Sequence, residues 1–332
     1  MKALAIGDLF TPWNALASRN PLIHFIDVCL RGAGQVMFQN NPLTGLFFFL
    51  GIFWGACSAR MIAVGIGTVV GVLAGTLAAH ALRAPEEEID AGLHGYNGIL
   101  VGCALPTFFA PTPLLWGYVV AGAIFSTVLM LAISGMLRTW KVPAVTGPFV
   151  ITTWFLMLAA CNFGNIQIIS LPHPAVSVHP AATDLFALNM EQFWRATFAG
   201  ISQVFLLDNV ITGILFLIGL AASSIRAAAF AFAGSVIAIC TAVILGGGST
   251  AIIAGLFQFS AVLTAIGLGA TFYKPGWRVI CYALLGTVFT VVAQGAFNVL
   301  LSVHGIPTLT FPFVVAAWIF LLPNIDWSRK AR

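Results

Sequence analysis

Four uncharged polar side chains occur as two matching pairs inside long apolar stretches. Gln35 and Gln203 each precede a valine, and Thr146 and Thr310 each lie in a Pro-x-x-Thr-x-Pro-Phe run. Amides and hydroxyls exchange hydrogen bonds with uncharged ligands, and prolines leave nearby carbonyl oxygens without backbone donors. A lone Gln or Thr in an apolar helix more often joins two helices or bonds its own backbone. Matched pairs instead favour two rows of oxygen acceptors around one uncharged solute.

Aromatic and aliphatic side chains accompany these polar positions. Phe38, Tyr96 and Phe259 lie beside them in sequence, and Leu100 and Leu263 follow the latter two by one helical turn. Together they predict flat apolar walls that face the rows of oxygen atoms. A planar, uncharged solute with several N–H donors fits such a slot, because its edges bond the oxygens while its faces lie on the rings. Urea is a solute of this kind.

No other chemistry is indicated by the sequence. It has no nucleophile beside a base, no cluster of metal ligands and no phosphate-binding loop, so we expect neither an enzyme nor a cofactor. The charged candidates Asp27, Glu191, Arg195 and Asp208 fall near the ends of apolar segments. Asp27 can pair with Arg31 four residues later, or with Arg195, its match in the second half of the chain. Either pairing leaves the deep membrane uncharged.

The scarcity of charge predicts a membrane protein. The chain has 332 residues, of which 60% are hydrophobic and only 7% are charged, with a formal net charge of +4. Soluble proteins carry roughly a quarter charged residues, and hydrocarbon cannot solvate ions or unpaired backbone groups. We therefore expect an all-α integral membrane protein surrounded by lipid, with no nucleic-acid partner.

Twelve apolar segments form two sets of six. The first set lies at about 22–40, 42–58, 61–82, 89–110, 114–137 and 143–161, and the second at about 192–208, 210–225, 227–246, 250–272, 278–302 and 307–323. A membrane-spanning helix needs roughly 20 residues, so most segments are long enough to cross. Residues 162–191 between the sets carry Asn, Ser, Pro and His and predict an extramembrane linker.

The two sets repeat each other in sequence. Three stretches recur in the same order: 32–36 as 200–204 at an offset of 168, 96–100 as 259–263 at 163, and 143–149 as 307–313 at 164. Chance does not give three such matches in one order. We expect an N-terminal repeat at 1–161, an extracytoplasmic linker at 162–191 and a C-terminal repeat at 192–332.

One segment of each half is interrupted by polar residues or glycines. Residues 84–97 begin Ala-Pro-Glu-Glu-Glu and include His94, a candidate for the pore mouth, and the counterpart begins with glycines at 246–248. Broken segments at corresponding places predict re-entrant half-helices that line a polar path. Five transmembrane helices plus one re-entrant half-helix make an odd number of crossings. The second repeat is then inverted, with the pore at the repeat interface.

Basic residues indicate the orientation. With the N-terminus inside, ten of the 14 Lys and Arg residues fall on cytoplasmic segments, Arg83 and Arg226 fall outside, and Arg31 and Arg195 lie within spans. This distribution follows the positive-inside rule. It predicts cytoplasmic termini and an external loop at 86–88, in a multi-pass protein of the inner (plasma) membrane.

At this point the sequence resembles the urea transporter family. The resemblance rests on the Gln-Val pairs at 35–36 and 203–204 and on the Gly-Tyr-Asn-x-x-Leu run at 95–100. Above all, the runs at 142–149 and 306–313 are similar to the family's Leu-Pro-x-x-Thr-x-Pro-Phe signature.

The resemblance implies a homotrimer in which each protomer has its own pore of two inverted repeats. Urea would move passively and in single file between two oxygen ladders flanked by hydrophobic slots. The residues expected to line this path are Gln35, Val36, Phe38, Tyr96, Leu100, Thr146, Gln203, Val204, Leu206, Phe259, Leu263 and Thr310. Leu206 stands where the family often has Phe, and Tyr96 adds a hydroxyl to one wall.

Two alternatives remain open from the sequence. One is a pore for another small neutral solute, such as a short amide, ammonia or water. The other is an ion-coupled secondary transporter, since inverted repeats are frequent in that class. The two mechanisms differ in coupling, because flux through a channel does not depend on proton or sodium gradients.

Overall fold

The structure, a computed structural model, describes residues 11–174 and 188–325. In its first part the helices are α1 (Thr11–Ala17), α2 (Pro21–Gln35), α3 (Pro42–Ser58), α4 (Ile62–Ala81), α5 (Glu86–Asp90), α6 (Gly95–Phe108), α7 (Pro113–Leu137) and α8 (Gly147–Asn162). In its second part they are α9 (Met190–Ser202), α10 (Val210–Ser223), α11 (Ile225–Ile244), α12 (Ser249–Ile253), α13 (Phe259–Ile266), α14 (Trp277–Ser302) and α15 (Phe311–Leu321). A π-helical stretch, Gly267–Thr271, extends α13. The described residues form no β-strand, which confirms the all-α prediction.

Four of the described helices are long and apolar enough to cross a membrane, namely α4, α7, α11 and α14. The α9 and α10 helices pass the same test only as a pair, bent by 74° at a short break. The sequence predicted two separate spans there, at 192–208 and 210–225. A chain bent in this way is either one broken span or a re-entrant loop.

Matching asparagines start α3 and α10. The Asn41 side chain accepts a hydrogen bond from the Leu43 N–H at the start of α3, and the Asn209 side chain accepts one from the Thr212 N–H at the start of α10. Each bond satisfies one backbone donor that a helix N-terminus leaves free. The chain can therefore break inside apolar surroundings without leaving these donors unpaired.

The segment from α5 to α6 differs from its prediction. His24 Nε2 lies 3.0 Å from Asp90 Oδ1, so α5 sits beside the first turn of α2. Ile89 also belongs to a small buried cluster, and Leu131, near the end of α7, packs against that cluster. The α6 helix ends at Phe108 and α7 starts at Pro113, so the other end of α6 lies near the start of α7.

These contacts place the two ends of the segment far apart. From Pro113 to Leu131 the α7 helix rises about 27 Å. Residues 86–108 therefore run across the bundle, and the prediction of a re-entrant half-helix in this segment is wrong. Because α5 lies beside the start of α2, the predicted positions of residues 86–88 and of the start of the first span on opposite sides cannot both hold.

The two parts of the chain also exchange matched contacts. The Thr44 hydroxyl donates to the Gly219 carbonyl over 2.7 Å, and the Thr212 hydroxyl donates to the Gly51 carbonyl over 2.8 Å. Both donors and both acceptors are related by the sequence offset of 168. The rings of Phe48 and Phe216, matched at the same offset, pack with centroids 4.8 Å apart.

Some predicted features lie outside the described residues. Within the predicted linker 162–191, the structure describes 162–174 and 188–191. The basic residues Lys2, Arg329, Lys330 and Arg332, which contributed to the predicted orientation, fall in the parts of the chain that are not described.

Candidate functional site

The two signature threonines meet in the interior. Thr146 Oγ1 and Thr310 Oγ1 lie 2.7 Å apart and share a hydrogen bond, with each side chain 2% exposed. Thr146 directly precedes α8 and Thr310 directly precedes α15. The proline in the first turn of each helix has no N–H and fits a helix start. The signature runs therefore begin two short helices in the interior and bring their hydroxyls together.

The residue before each threonine has a left-handed backbone. Val145 has φ of 45° and Leu309 has φ of 48°, although neither is glycine. Such backbone is costly for a branched side chain and persists only where surrounding contacts impose it. Phe38 and Leu206, which follow the two Gln-Val pairs, also have positive φ values, of 64° and 57°. The strained positions thus accompany the predicted site residues in both halves.

Two tryptophans lock the signature runs to each other. The Trp154 indole N–H donates to the Pro307 carbonyl over 2.8 Å, and the Trp318 N–H donates to the Pro143 carbonyl over 3.1 Å. Donors and acceptors are both related by the offset of 164. Two carbonyls that the sequence suggested as solute acceptors are therefore occupied by protein donors.

A cavity of about 240 Å³, here called the Gln35 cavity, lies on one side of the threonine pair. It is lined by Gln35, Val36, Phe38, Leu93, Tyr96, Met130, Pro143, Val145, Thr146, Thr271, Phe272 and Phe313. The Phe38 ring contacts the Phe272 and Phe313 rings edge-on, with centroids 5.4 and 5.9 Å apart. The Tyr96 hydroxyl donates to the Val145 carbonyl over 2.7 Å.

A second cavity, of about 520 Å³ and here called the Gln203 cavity, lies on the other side. Its predicted lining residues are Gln203, Val204, Leu206, Phe259 and Thr310. Further lining residues are Thr107, Phe108, Phe149, Pro172, Ala251, Leu256, Gln294, Asn298, Ser302, Ile306, Pro307, Thr308 and Leu309. Because Thr310 borders this cavity and Thr146 borders the other, the two cavities adjoin at the threonine pair.

The two glutamines are held in the same way. Gln35 Nε2 donates to the Ala91 carbonyl over 2.8 Å, and Gln203 Nε2 donates to the Ala254 carbonyl over 2.9 Å. The amide nitrogen of each side chain is thus engaged with the loop before α6 or α13. The amide oxygen is the group that each glutamine can offer to a solute in its cavity.

Ten of the twelve predicted residues border one of the two cavities. Leu100 and Leu263 do not, and both are fully buried. They support the walls from behind, since α6 and α13 turn these side chains into the core. His94, the candidate for the pore mouth, is also buried, with Nε2 3.2 Å from Glu88 Oε2, and borders neither cavity.

Charged groups are absent from the described lining of both cavities. Asp27 pairs with Arg31, as predicted from their spacing. Arg195 pairs with Asp208 over 2.9 Å, so the alternative pair of Asp27 with Arg195 is wrong. Among the described residues there is also no group of three or more His, Cys, Asp or Glu that could hold a metal ion.

Some lining residues escaped the sequence reasoning. Phe149 and Phe313 close the signature runs, and each borders the cavity whose glutamine belongs to the other half. The repeated run could have indicated them. Met130 and Gln294 occupy matched positions at the offset of 164, but they differ in chemistry, and a search for repeated polar residues passes over them.

Comparison with known proteins identifies relatives of the chain. The model of the urea transporter family matches residues 26–325. Urea transporter 1 of Ovis aries and that of Capra hircus are each 30% identical over 333 residues, covering 96% of this chain and 83% of the relative. Urea transporter 1 of Mus musculus is 29% identical over 334 residues, with the same coverage.

Proposed function

The chain belongs to the urea transporter family, and we propose that it carries urea passively across a membrane through a narrow, oxygen-lined and aromatic-walled channel. The matched relatives are named as transporters, in agreement with the expectation that the protein is not an enzyme. The proposed path runs from the Gln35 cavity past the threonine pair to the Gln203 cavity.

The observation that carries this proposal is the contact between Thr146 and Thr310. The two hydroxyls stand where two separate cavities adjoin, and Gln35 and Gln203 border the cavities on either side. A solute that passes between the cavities meets an amide oxygen, then hydroxyls, then a second amide oxygen. Each can accept an N–H hydrogen bond and so replace part of the solute's hydration.

The chemistry of the walls supports a neutral, planar solute. The Gln35 cavity has the Phe38 and Tyr96 rings beside its glutamine, and the Gln203 cavity has the Phe259 ring. An ion would need full charge compensation in such surroundings. Since the described lining residues carry no charge, the arrangement favours urea over an ion and gives no residue for proton or sodium coupling.

The exchanged contacts support two inverted repeats. A two-fold axis makes each contact between the two halves occur twice, with the roles of the halves exchanged. Both the tryptophan–proline bonds and the threonine–glycine bonds have this form. With the bent α9–α10 pair as one broken span, the second half crosses five times, through α9–α10, α11, α12–α13, α14 and α15. An odd number of crossings turns one half over relative to the other.

Location and assembly are proposed as the resemblance to the family implied them. We propose a homotrimer of such protomers in the inner (plasma) membrane, with lipid around it and both termini in the cytoplasm. Many large apolar side chains on the long helices are exposed in the single chain, including Leu77, Ile124 and Leu284. Lipid or neighbouring protomers would cover them in this arrangement.

Stopped-flow urea flux into liposomes that contain the purified protein tests the proposal. We expect flux above that of protein-free liposomes, driven by the urea gradient alone and unchanged when ionophores collapse proton and sodium gradients. Flux that requires either gradient would refute the channel. A rate equal to that of protein-free liposomes would refute urea transport itself.

A further inference from the structure

The two cavities differ along one wall. In the Gln35 cavity α7 contributes to this wall, and in the Gln203 cavity α14 does. Gln294 on α14 matches Met130 on α7 at the offset of 164. At the same offset Thr308 matches Ala144. Gln294 and Thr308 of the Gln203 cavity are therefore matched by a thioether and a methyl group in the first half of the chain.

The polar groups of the Gln203 cavity form a continuous face. Gln294, Asn298 and Ser302 are spaced four residues apart on α14, so they lie along one side of that helix, and all three border the cavity. Gln294 Nε2 donates to Asn298 Oδ1 over 2.9 Å and to Thr308 Oγ1 over 2.7 Å. Asn298 is exposed, whereas Gln294 is 2% exposed. This face leads from the open end of the cavity towards Thr310.

Gln294 keeps one strong acceptor unused. An amide nitrogen carries two hydrogens, and the bonds to Asn298 and Thr308 use both. The carbonyl oxygen, Oε1, is buried and has no hydrogen-bond partner among residues 11–174 and 188–325. Buried polar oxygens are almost always paired, so an unpaired one on a residue that borders a cavity indicates a place for a donor from a ligand.

The matched wall of the Gln35 cavity lacks such an acceptor. The Met130 sulfur lies 3.5 Å from the Tyr96 hydroxyl, 3.7 Å from Asn97 Nδ2 and 3.7 Å from the Ser134 hydroxyl. A thioether is a weak acceptor, and the Asn97 and Ser134 donors already contact this one, while the Tyr96 hydroxyl gives its hydrogen to the Val145 carbonyl. A solute N–H therefore finds an additional strong acceptor in only one of the two cavities.

We propose that Gln294, fixed by Asn298 and Thr308, forms a capture site for an amide-type solute in the Gln203 cavity. The inference rests on the proposed urea function and adds a binding position that is displaced from the threonine pair towards one end of the path. It predicts an asymmetric channel: urea supplied from the Gln203 side half-saturates flux at a lower concentration than urea supplied from the Gln35 side. The net direction of flow still follows the gradient.

The test uses urea flux in right-side-out and inside-out vesicles that contain the full chain. Gln294→Met installs the residue of the matched position. Loss of one hydrogen bond to a neutral solute corresponds to about two- to tenfold weaker binding. We expect the half-saturating urea concentration from the Gln203 side to rise by this factor and to approach the value from the Gln35 side. In Met130→Gln/Gln294→Met, the exchanged variant, the asymmetry should reverse.

Thr287→Val provides the matched control, because Thr287 is buried on the same helix, bonds the Ala283 carbonyl and borders neither cavity. It should leave half-saturation unchanged. Asn298→Ala removes one partner of the Gln294 nitrogen but keeps the free oxygen and the bond to Thr308, so half-saturation from the Gln203 side should rise less than in Gln294→Met. If the glutamine is only structural, Asn298→Ala and Gln294→Met will lower the thermal midpoint alike and leave the asymmetry in place. That result, or symmetric saturation of the wild type, overturns the capture site while urea transport stands. Wild-type vesicles without urea flux overturn both proposals.

Discussion

Replacing the paired threonines by valine tests the hydroxyl-lined junction most directly. Valine has nearly the shape of threonine but no hydroxyl, so each single change removes one acceptor from the path with little change in width. Thr146 and Thr310 are each 2% exposed and bond each other over 2.7 Å. A hydrogen bond to a neutral group is worth about 1 kcal/mol, which corresponds to about fivefold in rate. We expect about fivefold lower urea flux for each single variant and about 25-fold for the double variant.

Stability should follow a different pattern, which separates transport from folding. A single Thr→Val change leaves the other hydroxyl buried and unpaired, at a cost of about 1–3 kcal/mol. In the double variant no hydroxyl remains to be orphaned, so the loss of unfolding free energy should be well below the sum of the two single losses. Flux is measured by stopped flow in liposomes and stability by denaturation in detergent.

Thr152→Val is the matched control on the same helix. Thr152 is fully buried, borders neither cavity, and its hydroxyl has no partner among the described residues. We expect wild-type flux and no loss of stability. Wild-type flux in the Thr146→Val/Thr310→Val variant would refute the idea that urea bonds these hydroxyls as it passes.

Three further sets of changes probe the frame around the junction. Trp154→Phe and Trp318→Phe each remove one indole donor to a proline carbonyl of the other half. In chemical denaturation, both should lower the unfolding free energy by a similar amount, about 1–2 kcal/mol. A difference of more than about 2 kcal/mol between the two losses would contradict the reciprocal arrangement. Gly71→Ala places a Cβ 2.2 Å from a carbonyl oxygen of α6, so the helices must separate, at a cost of about 1–3 kcal/mol in the same chemical denaturation. Gly117→Ala, whose Cβ has nothing within 4 Å, should not lower the unfolding free energy, because alanine favours a helix more than glycine does. Tyr96→Phe removes the donor to a buried carbonyl and should destabilise by about 1–3 kcal/mol, while stopped-flow urea flux stays within about twofold because the ring is kept.

The sequence duplication made it possible to predict which residues lie together, because it marked equivalent residues in the two halves. Two runs that share Pro, Thr and Phe at the same spacing implied two equivalent places, and the structure brings their hydroxyls within 2.7 Å. The prediction of twelve lining residues, ten of which border a cavity, depended on the same logic. Leu100 and Leu263 show the limit of this reasoning. Their spacing from the aromatic residues predicts that they share a helix face with them, but it does not tell whether other side chains bury that face. Both are buried behind the cavity walls.

The course of the α5–α6 segment required tertiary contacts. Its prolines, glutamates and glycines give the same sequence signal in a kinked crossing as in a re-entrant loop, since both need a helix break inside apolar surroundings. The contact of His24 with Asp90 decides between them, and it joins residues 66 positions apart. No local pattern contains that information. The bend of α9 against α10 was hidden for the same reason, because each apolar run by itself looks like a short span.

Gln294 was missed because symmetry was the search criterion. A two-fold arrangement supplies two equivalent cavities, and residues that keep the repeat pattern describe what the two sides have in common, which in the proposed function is to surround an uncharged planar solute. Departures from the pattern describe where the sides differ. The chain departs at Tyr96 against Phe259 and at Met130 against Gln294. In both pairs the acceptors on the Gln203 side have fewer protein donors. Tyr96 donates its hydroxyl to the Val145 carbonyl. Phe259, at the matched position, has no hydroxyl to donate to the Leu309 carbonyl. A passive pore needs no such difference to conduct, so differences concentrated on one side point to a preferred resting position for the solute there.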